Sequence, residues 1–545
     1  MSKKNNSVIR QASFLMAATM ICRVIGILYR SPLHNVMGNV GDGYYTYAYE
    51  WYNILLLISS YSIPMAISKV MSERLALGQY KNASRVFKAA FLYVIVVGLI
   101  SALAAYILAP VMLKGTEGAV PALRVLAPTI FFSGILGVLR GYFQARNSMK
   151  QTAVSQIAEQ IVNAFISVFA AYAFTRPFIS DAENTAVYGA AGGTLGTGAG
   201  VITGLIVMLL FFIADRNNRK DNLRHDVSGV DESYKDIFKV IIMMVTPVII
   251  ATFIYNIVSV FDQRIYTAVG LAIGTESEIL TSNYGIFGYQ YKPIINIPIA
   301  LASATSTALI PAVASLYAKK ETKGVVEKID ESVNFTMFLA IPSAFGLCVL
   351  SYPVIRILYP SADISSAAIM LSVGALSVIF YCLSTVTNGV LQGLGHPSVP
   401  VRNSLFAMIV NAAVLVIFMY LGFGIYSMLL AHIIYAIAVS VFNNLSIRKR
   451  ISYRVNIKPL KLHFLSSVIM AAAVGAVYWI PALLLKEFFS RYINNAILTC
   501  IAVIIGILVY IITFAALSGK SDDELRRFPM GTKMLKILRI LHIRK

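Results

Sequence analysis

The chain has 545 residues, of which 58% are hydrophobic and only 13% are charged, too few polar groups to cover a soluble protein of this length. This composition excludes a soluble enzyme and predicts a membrane-embedded protein. The net charge of +21 needs no nucleic-acid partner, because Lys and Arg residues facing anionic inner-leaflet lipid account for most of it.

Apolar runs of about 20 residues, the length that crosses a bilayer, recur along the whole sequence. They predict an all-α polytopic membrane protein with about 14 transmembrane helices. The runs cover residues 11–31, 44–68, 87–109, 122–143, 153–175, 188–213, 237–261, 284–313, 331–351, 366–394, 400–420, 424–446, 463–485 and 493–517.

The distribution of basic residues predicts how these spans are oriented. With the N-terminus placed inside, most of the 46 Lys and Arg residues fall at the N-terminus, in the even-numbered loops and in the tail. Basic residues remain in cytoplasmic loops, so both termini are predicted to be cytoplasmic. Residues 214–236 then form a cytoplasmic linker and 518–545 a basic tail, whose amphipathic stretch 533–545 is suited to anionic inner-leaflet lipids.

Two arginines, Arg23 and Arg30, lie in the first span, seven residues apart and therefore on one helix face. A charged side chain near the bilayer centre costs roughly 2.5–3.5 kcal/mol, so such residues usually serve a function. Two cations on one face indicate a site for an anion. Under a structural alternative, Arg23 pairs with a carboxylate such as Glu50, and Arg30 extends to the outer interface.

The second span opens with an unusually aromatic entrance, from Asp42 to Asn53, that contains one acid within the span, Glu50. An aromatic belt at the membrane interface accounts for the first tyrosines. Tyr49, Glu50 and Asn53 run deeper and are predicted to line a polar cavity. Tyrosine and asparagine side chains are suited to sugar hydroxyls.

A polar stripe in the eighth span contains Lys292, Asn296, Ser303 and Ser306. Polar groups at membrane depth must face protein or water, so this stripe is a second candidate for the lining of a binding site. Hydrogen bonding between helices is the structural alternative.

The sequence repeats itself after about 250 residues. Six spans separate the two copies, an even number, so both copies keep the same orientation, as in transporters built from parallel repeats. The repeat predicts two six-helix lobes, 1–213 and 237–446, followed by two further helices in 463–517, and makes a monomer sufficient. The matching segments are Gly137-Val-Leu-Arg-Gly141 with Gly389-Val-Leu-Gln-Gly393, Ile161-Val-Asn163 with Ile409-Val-Asn411, and Pro64–Ser68 with Pro311–Ser315.

Motifs of catalysis and metal binding are missing from the sequence. It contains no HExxH, no Gly-x-Ser-x-Gly and no CxxC, and its longest loops have about twenty residues. We therefore expect no enzymatic activity, no cofactor and no metal.

Several segments resemble the multidrug/oligosaccharidyl-lipid/polysaccharide exporter superfamily. Within it the chain is similar to the MurJ-type lipid II flippases and to the branch that includes stage V sporulation protein B and YtgP-like proteins. The resemblance implies a MATE/MurJ-like pair of six-helix lobes that open alternately to the two sides of the membrane. It is carried by the segment from Cys22 to Arg30, by Asp42-Gly-Tyr-Tyr, by the run ending Thr307-Ala-Leu-Ile-Pro311, and by the Gly-Val-Leu-x-Gly segments.

The resemblance also implies roles for individual residues. Arg23 matches the first of the family's two arginines of the first span, Arg30 matches the second with a displacement of one residue, and Asp42 matches the acid before an aromatic pair. Lys292 takes the place of an arginine in the eighth span, whereas the family's second-span arginine has no counterpart at Leu57–Ser60. The implied substrate-binding residues are Arg23, Arg30 and Lys292 for a pyrophosphate, and Asp42, Tyr49, Glu50, Asn53 and Asn296 around it and the sugars.

The function expected on this basis is a flippase of the bacterial cytoplasmic membrane. It would move an undecaprenyl-pyrophosphate-linked saccharide from the inner to the outer leaflet, with the cell-wall synthesis machinery as a further partner. The alternative is a multidrug/cation antiporter of the same superfamily, for which Glu50 and Glu159 are the candidate carboxylates. A membrane-embedded glycosyl transferase would need acids on outer loops that are too short to supply them.

Overall fold

The computed structural model describes residues 2–61, 63–226, 229, 231–360, 364–484, 490–518 and the tail positions 522, 531, 535, 536 and 539. Within this part of the chain, helices are the only regular elements, as expected where lipid offers backbone groups no hydrogen-bonding partner. The stretch predicted at 533–545 to lie on anionic lipid falls almost wholly outside the described residues. That interaction stays a prediction.

The chain forms two compact units, Met1–Tyr289 and Gln290–Lys545. The first unit contains α1 (Ser2–Leu28), α2 (Arg30–Leu56), α3 (Ile63–Ala76), α4 (Tyr80–Met112), α5 (Val120–Ala145), α6 (Met149–Thr175), α7 (Ala182–Ala214), α8 (Arg216–Arg224), α9 (Tyr234–Ala272) and α10 (Ser277–Gly285). A π-helical turn, Leu57–Tyr61, lies between α2 and α3.

The second unit begins within another π-helical turn, Ile286–Tyr291, which follows α10. Its helices are α11 (Lys292–Ala318), α12 (Thr322–Val349), α13 (Ser351–Leu358), α14 (Ile364–Gly374), α15 (Ser377–Gly393), α16 (Ser398–Tyr420), α17 (Ile425–Ile451), α18 (Ile457–Leu484) and α19 (Arg491–Ser518). The predicted bounds of the lobes, linker and added helices stay predictions.

The prediction of an all-helical membrane protein is confirmed. Among the described residues, eleven helical segments are long and apolar enough to cross a membrane, or twelve if the pair α14 and α15, bent by 48°, counts as one span. The first predicted span lies within α1, whose apolar part, Ala17–Leu28, is shorter than a full span. The seventh predicted span lies within α9. The count of fourteen therefore stays a prediction.

The core of the first unit lies among α3, α4, α5, α7 and α9. Its fully buried side chains include Ile67, Val86, Leu139, Met208 and Ile241. Helices in lipid gain little from apolar burial alone and associate by close packing, which small residues permit. The glycines of α7 supply this packing against α6, and a Cβ atom at Gly196 would lie 2.6 Å from the Asn163 carbonyl oxygen.

The internal repeat is visible in helix packing within each unit. In the first unit, Gly141 of α5 faces α3, where a Cβ atom would lie 3.0 Å from the carbonyl oxygen of Pro64. In the second unit, Gly393 of α15 faces α11, where a Cβ atom would lie 2.9 Å from the carbonyl oxygen of Ile310. The matching glycines thus make the same contact, because each packs closely against the helix that carries the repeated Pro segment.

The two helices after the repeat pack on α12 through a buried histidine. His463 of α18 is 0% exposed, and its Nε2 atom lies 2.7 Å from Asn334 Oδ1 of α12. Its Nδ1 atom lies 3.1 Å from Tyr510 Oη of α19, and that hydroxyl donates to the Phe338 carbonyl of α12 at 3.0 Å. One side chain therefore connects three helices.

Contacts between loops of the first unit agree with the predicted assignment of each loop to the inner or the outer side of the membrane. Two loops assigned to the inner side meet where Arg74 pairs with Glu232 at 3.1 Å. Two loops assigned to the outer side meet where Arg264 donates to the Lys114 carbonyl at 2.9 Å. Which side is cytoplasmic, and with it the position of both termini, stays a prediction.

Candidate functional site

The helix boundary near Arg30 differs from the sequence-based prediction. The first span was expected to continue to residue 31, but α1 ends at Leu28 and Arg30 is the first residue of α2. The expected outer loop is helical as well, with one interruption at Gly38, whose φ of 66° suits glycine. The boundary is slight, since Tyr29 keeps helical φ and ψ angles and its N–H group donates to the Ile25 carbonyl at 3.1 Å, so the shared face of Arg23 and Arg30 stays a prediction.

Arg30 is held by a tyrosine that lies 259 residues away in the sequence. Its Nη1 atom donates to the Tyr289 carbonyl at 2.9 Å, and its guanidinium lies 4.6 Å from the centre of the Tyr289 ring. The Tyr289 hydroxyl in turn donates to the Arg30 carbonyl at 3.2 Å. The guanidinium is thus positioned by the protein, and the alternative in which Arg30 extends to the outer interface is not favoured. Arg23 is exposed on α1.

A row of tyrosines extends from this arginine. The Tyr45 ring meets Tyr289 edge-on at 5.3 Å and stacks on Tyr49 at 4.5 Å. The Tyr45 hydroxyl lies 3.2 Å from that of Tyr29, and the Tyr49 hydroxyl is hydrogen-bonded to Thr197 of α7. The structure therefore brings Arg30 and Tyr49 into one connected group of side chains, as the prediction of a shared site requires.

Glu50 accepts a hydrogen bond from another tyrosine of the same region. The Tyr284 hydroxyl of α10 donates to Glu50 Oε2 at 2.6 Å, and its ring stacks on Tyr47 at 4.3 Å. Asn53, one turn further along α2, is exposed. The half-buried acid and the exposed amide thus lie one turn apart on α2.

Asp42 occupies a buried place between helices. It is 0% exposed, and its Oδ2 atom lies 2.7 Å from His34 Nδ1 on the same helix. The next residue, Gly43, touches α10 so closely that a Cβ atom there would overlap the Thr281 carbonyl oxygen. Asp42 is therefore held by His34 beside the α2–α10 contact, and direct contact with a substrate stays a prediction.

The second unit carries Lys292 and Asn296. Lys292 is half-buried at the start of α11, and Asn296 is exposed one turn later. The preceding residue, Tyr291, is 0% exposed and donates to the Gly374 carbonyl at 3.2 Å. Further along the predicted stripe, Ser306 donates to the Thr385 carbonyl at 2.7 Å, so this member makes the hydrogen bond between helices that was the alternative.

A tyrosine–histidine pair beside Lys292 was not foreseen. The Tyr381 hydroxyl lies 2.9 Å from His432 Nδ1, and the His432 ring lies 6.3 Å from that of Tyr291. In the first unit, sequence reasoning likewise missed Tyr284 and Tyr289. The tyrosines at 284, 289 and 291 form a visible cluster in the sequence, whereas nothing around His432 distinguishes it. A metal site is not indicated, since the described residues contain no group of three His, Cys, Asp or Glu side chains.

The candidate residues fall into two sets, one in each unit. The first unit holds six of them and the second holds two, and their common role in binding one ligand stays a prediction. The two sets are Arg23, Arg30, Asp42, Tyr49, Glu50 and Asn53 in the first unit, and Lys292 and Asn296 in the second.

Comparison with known proteins gives a consistent family signal. Residues 77–498 match the family model described as lipid II flippase MurJ. The chain is 24% identical over 534 residues to the lipid II flippase MurJ of Bacillus subtilis (strain 168), covering 93% of this chain and 95% of that one. It is 24% identical over 526 residues to stage V sporulation protein B of the same organism, covering 96% and 97%.

Solved structures show the same fold. A lipid II flippase MurJ in an inward closed conformation matches with a TM-score of 0.65 and 16% identity, covering 92% of this chain and 98% of that one. An inward-facing MATE family multidrug resistance transporter matches with a TM-score of 0.59 and 15% identity, covering 82% and 98%. The MATE/MurJ-like architecture predicted from the sequence is confirmed.

Proposed function

The chain belongs to the lipid II flippase MurJ family, and on that premise we propose that it moves an undecaprenyl-pyrophosphate-linked saccharide between membrane leaflets. The direction is from the inner to the outer leaflet of the bacterial cytoplasmic membrane. The cargo is a lipid II-type peptidoglycan precursor or another polysaccharide precursor. Its polar head group crosses by alternating access while its polyprenyl tail stays in lipid.

One observation carries the proposal: a guanidinium positioned inside the membrane domain next to a row of tyrosines. Arg30 is fixed by Tyr289, and Tyr45 and Tyr49 continue from that pair. Guanidinium groups bind phosphate oxygens bidentately. Tyrosine rings offer sugars an apolar face and a hydroxyl. The combination fits a head group that has a pyrophosphate at one end and sugars at the other.

The membrane potential favours outward movement of this cargo. A charge that crosses the membrane changes in free energy by about 2.3 kcal/mol per 100 mV. A pyrophosphate with two negative charges gains roughly 4–5 kcal/mol per 100 mV when it moves outward across an inside-negative membrane. Consumption of the product on the outer side adds to this driving force.

The multidrug/cation antiporter is less well supported by the arrangement of acids. An antiporter of this type needs a carboxylate available to a cation. Both candidates are engaged, because Glu50 accepts from Tyr284 at 2.6 Å and Glu159 pairs with Arg140 at 2.6 Å. A cation would therefore have to replace Tyr284 at Glu50 or Arg140 at Glu159.

The decisive experiment is rescue of bacteria depleted of their own lipid II flippase. We expect the chain to restore growth and to restore display of lipid II on the outer leaflet, and Arg23→Ala to lose both. Arg124→Ala is the matched control, since Arg124 is an exposed arginine of α5 that rests against Tyr106. Failure of the well-expressed wild-type chain would exclude lipid II as cargo, and rescue by Arg23→Ala would remove Arg23 from the path.

A further inference from the structure

We propose that Arg140 is an additional anion-binding residue of the first unit, and that Glu159 acts as its internal counter-ion until a pyrophosphate displaces it. The inference rests on the proposed function, since it assigns a binding step to the same cargo. Arg140 lies in one of the Gly-Val-Leu-x-Gly segments that carry the resemblance, but the resemblance assigns no binding role to Arg140 or to Glu159.

The ion pair lies between two helices that qualify as membrane spans. Arg140 Nη2 of α5 is 2.6 Å from Glu159 Oε2 of α6, and Arg140 Nε donates to Ser155 Oγ at 3.1 Å. The two charged side chains are 15% and 27% exposed. Both side chains are therefore partly accessible, the guanidinium less so than the carboxylate.

The internal repeat shows that the helix contact does not need this pair. Arg140 stands in the segment Gly137–Gly141, and the equivalent residue in Gly389–Gly393 is Gln392. By the same repeat, Glu159 corresponds to Ala407. The glycines that pack the helices are kept in both copies, but the charges are present only in the first.

The second copy has neutral residues at all three positions. Asn403, which corresponds to Ser155, donates to helix α17, to Asn443 at 2.9 Å and to Ser446 at 3.0 Å, and Gln392 and Ala407 carry no charge. The second copy therefore packs its helices without an ion pair at these positions. Charged residues at membrane depth are expensive, so their presence in one copy alone indicates a function.

Helix α7 packs its backbone closely against Glu159. A Cβ atom at Gly204 would lie 3.2 Å from Glu159 Oε2, and one at Gly200 would lie 2.6 Å from the Glu159 carbonyl oxygen. The two glycines therefore allow α7 to approach α6 at this point. They hold the backbone of Glu159 in place beside Arg140.

The pair also lies near the first arginine of the candidate site. Helix α1 approaches α6 where a Cβ atom at Gly26 would lie 3.3 Å from Gln160 Nε2, and Gln160 is the neighbour of Glu159. Arg23 precedes Gly26 by one turn of α1. Arg140 stands five residues before the end of α5 at Ala145, roughly 8 Å from the predicted cytoplasmic end by helical rise. A head group that enters from the inner leaflet therefore meets Arg140 before it reaches Arg30.

Pyrophosphate and the Glu159 carboxylate differ in how well they bind the guanidinium of Arg140. A pyrophosphate offers the guanidinium more oxygen acceptors and more negative charge than a carboxylate does, so it can replace Glu159 at Arg140. The displaced carboxylate then repels the bound anion and keeps its affinity moderate. A transporter benefits from such a counter-ion, because its cargo must leave as well as bind.

The test measures binding of farnesyl pyrophosphate to the purified full-length protein in detergent by thermophoresis. Removing the competing carboxylate with Glu159→Gln is expected to tighten binding about fivefold, and Arg140→Gln to weaken it about tenfold. The double variant R140Q/E159A copies the residues of the second repeat and leaves no unpaired charge. It is expected to bind about tenfold more weakly than wild type while its Tm stays close to that of the wild-type chain.

Three results would overturn the inference. The first is a double variant that binds the probe as wild type does, which would make the pair structural. The second is a Glu159→Gln protein with unchanged affinity. The third is a wild-type protein that does not bind the probe at all. Rescue of flippase-depleted bacteria is scored separately, so a chain that fails to flip lipid II but shows the expected order of affinities would contradict only the proposed function.

Discussion

Tyr284 donates a 2.6 Å hydrogen bond to Glu50 and thereby joins α10 to α2, two helices separated by more than 200 residues of sequence. The bond ends on a half-buried carboxylate, and hydrogen bonds to charged groups are stronger than those between neutral ones. It fixes the acid of the candidate site in one position.

Replacing Tyr284 with Phe is expected to lower stability, since the carboxylate loses its donor while the ring keeps its stack on Tyr47. The expected loss is about 1–3 kcal/mol. Thermal unfolding of the purified protein, followed by intrinsic fluorescence, measures it. Tyr172→Phe is the control, because Tyr172 is 58% exposed. An equal Tm for the two variants would show that the Tyr284 bond contributes nothing.

Arg30→Lys tests whether charge alone is enough at the site. Lysine keeps the charge but lacks the planar group that lies over the Tyr289 ring while donating to its carbonyl. We expect transport to fall about fivefold, equivalent to about 1 kcal/mol. The measurement is outward display of labelled lipid II in vesicles, with Arg124→Lys as the matched change. Full activity of Arg30→Lys would mean that the guanidinium geometry is unimportant.

Gly43→Ala tests the closeness of α2 and α10. The added methyl group would overlap the Thr281 carbonyl oxygen, so the two backbones must separate. Overpacking of this kind costs about 1–3 kcal/mol, and we expect a lower Tm together with reduced transport. Gly346→Ala is the control, since its methyl group would lie 3.9 Å from Met470 Cε. If the two alanine variants have the same Tm, the α2–α10 contact at Gly43 is looser than the structure indicates.

His463→Ala tests the attachment of the last two helices. The change removes two hydrogen bonds and leaves a cavity among α12, α18 and α19, with an expected loss of about 2–4 kcal/mol. Limited proteolysis and Tm report the effect. His396→Ala, at an exposed turn, is the comparison. Resistance to protease equal to that of the comparison variant would show that α18 and α19 are held by other contacts.

The sequence by itself determined the helical membrane architecture and the internal repeat. Both are local or periodic properties: an apolar run must form a helix in lipid, and a repeated glycine segment predicts a repeated contact. Gly141 and Gly393 make that contact in their respective units. The sequence also identified Arg30, Tyr49 and Glu50 as unusual at membrane depth, because the cost of such residues depends only on their chemistry.

Only the tertiary structure decided which partners these residues have. Tyr289 holds Arg30, Tyr284 holds Glu50, and Arg140 pairs with Glu159. Periodicity assigns a side chain to a face of its own helix, but it does not say which distant helix that face meets. The boundary between α1 and α2 is a detail of the same kind. Tyr29 keeps helical φ and ψ angles there, and the contact of the next residue, Arg30, with Tyr289 is visible only in the folded chain.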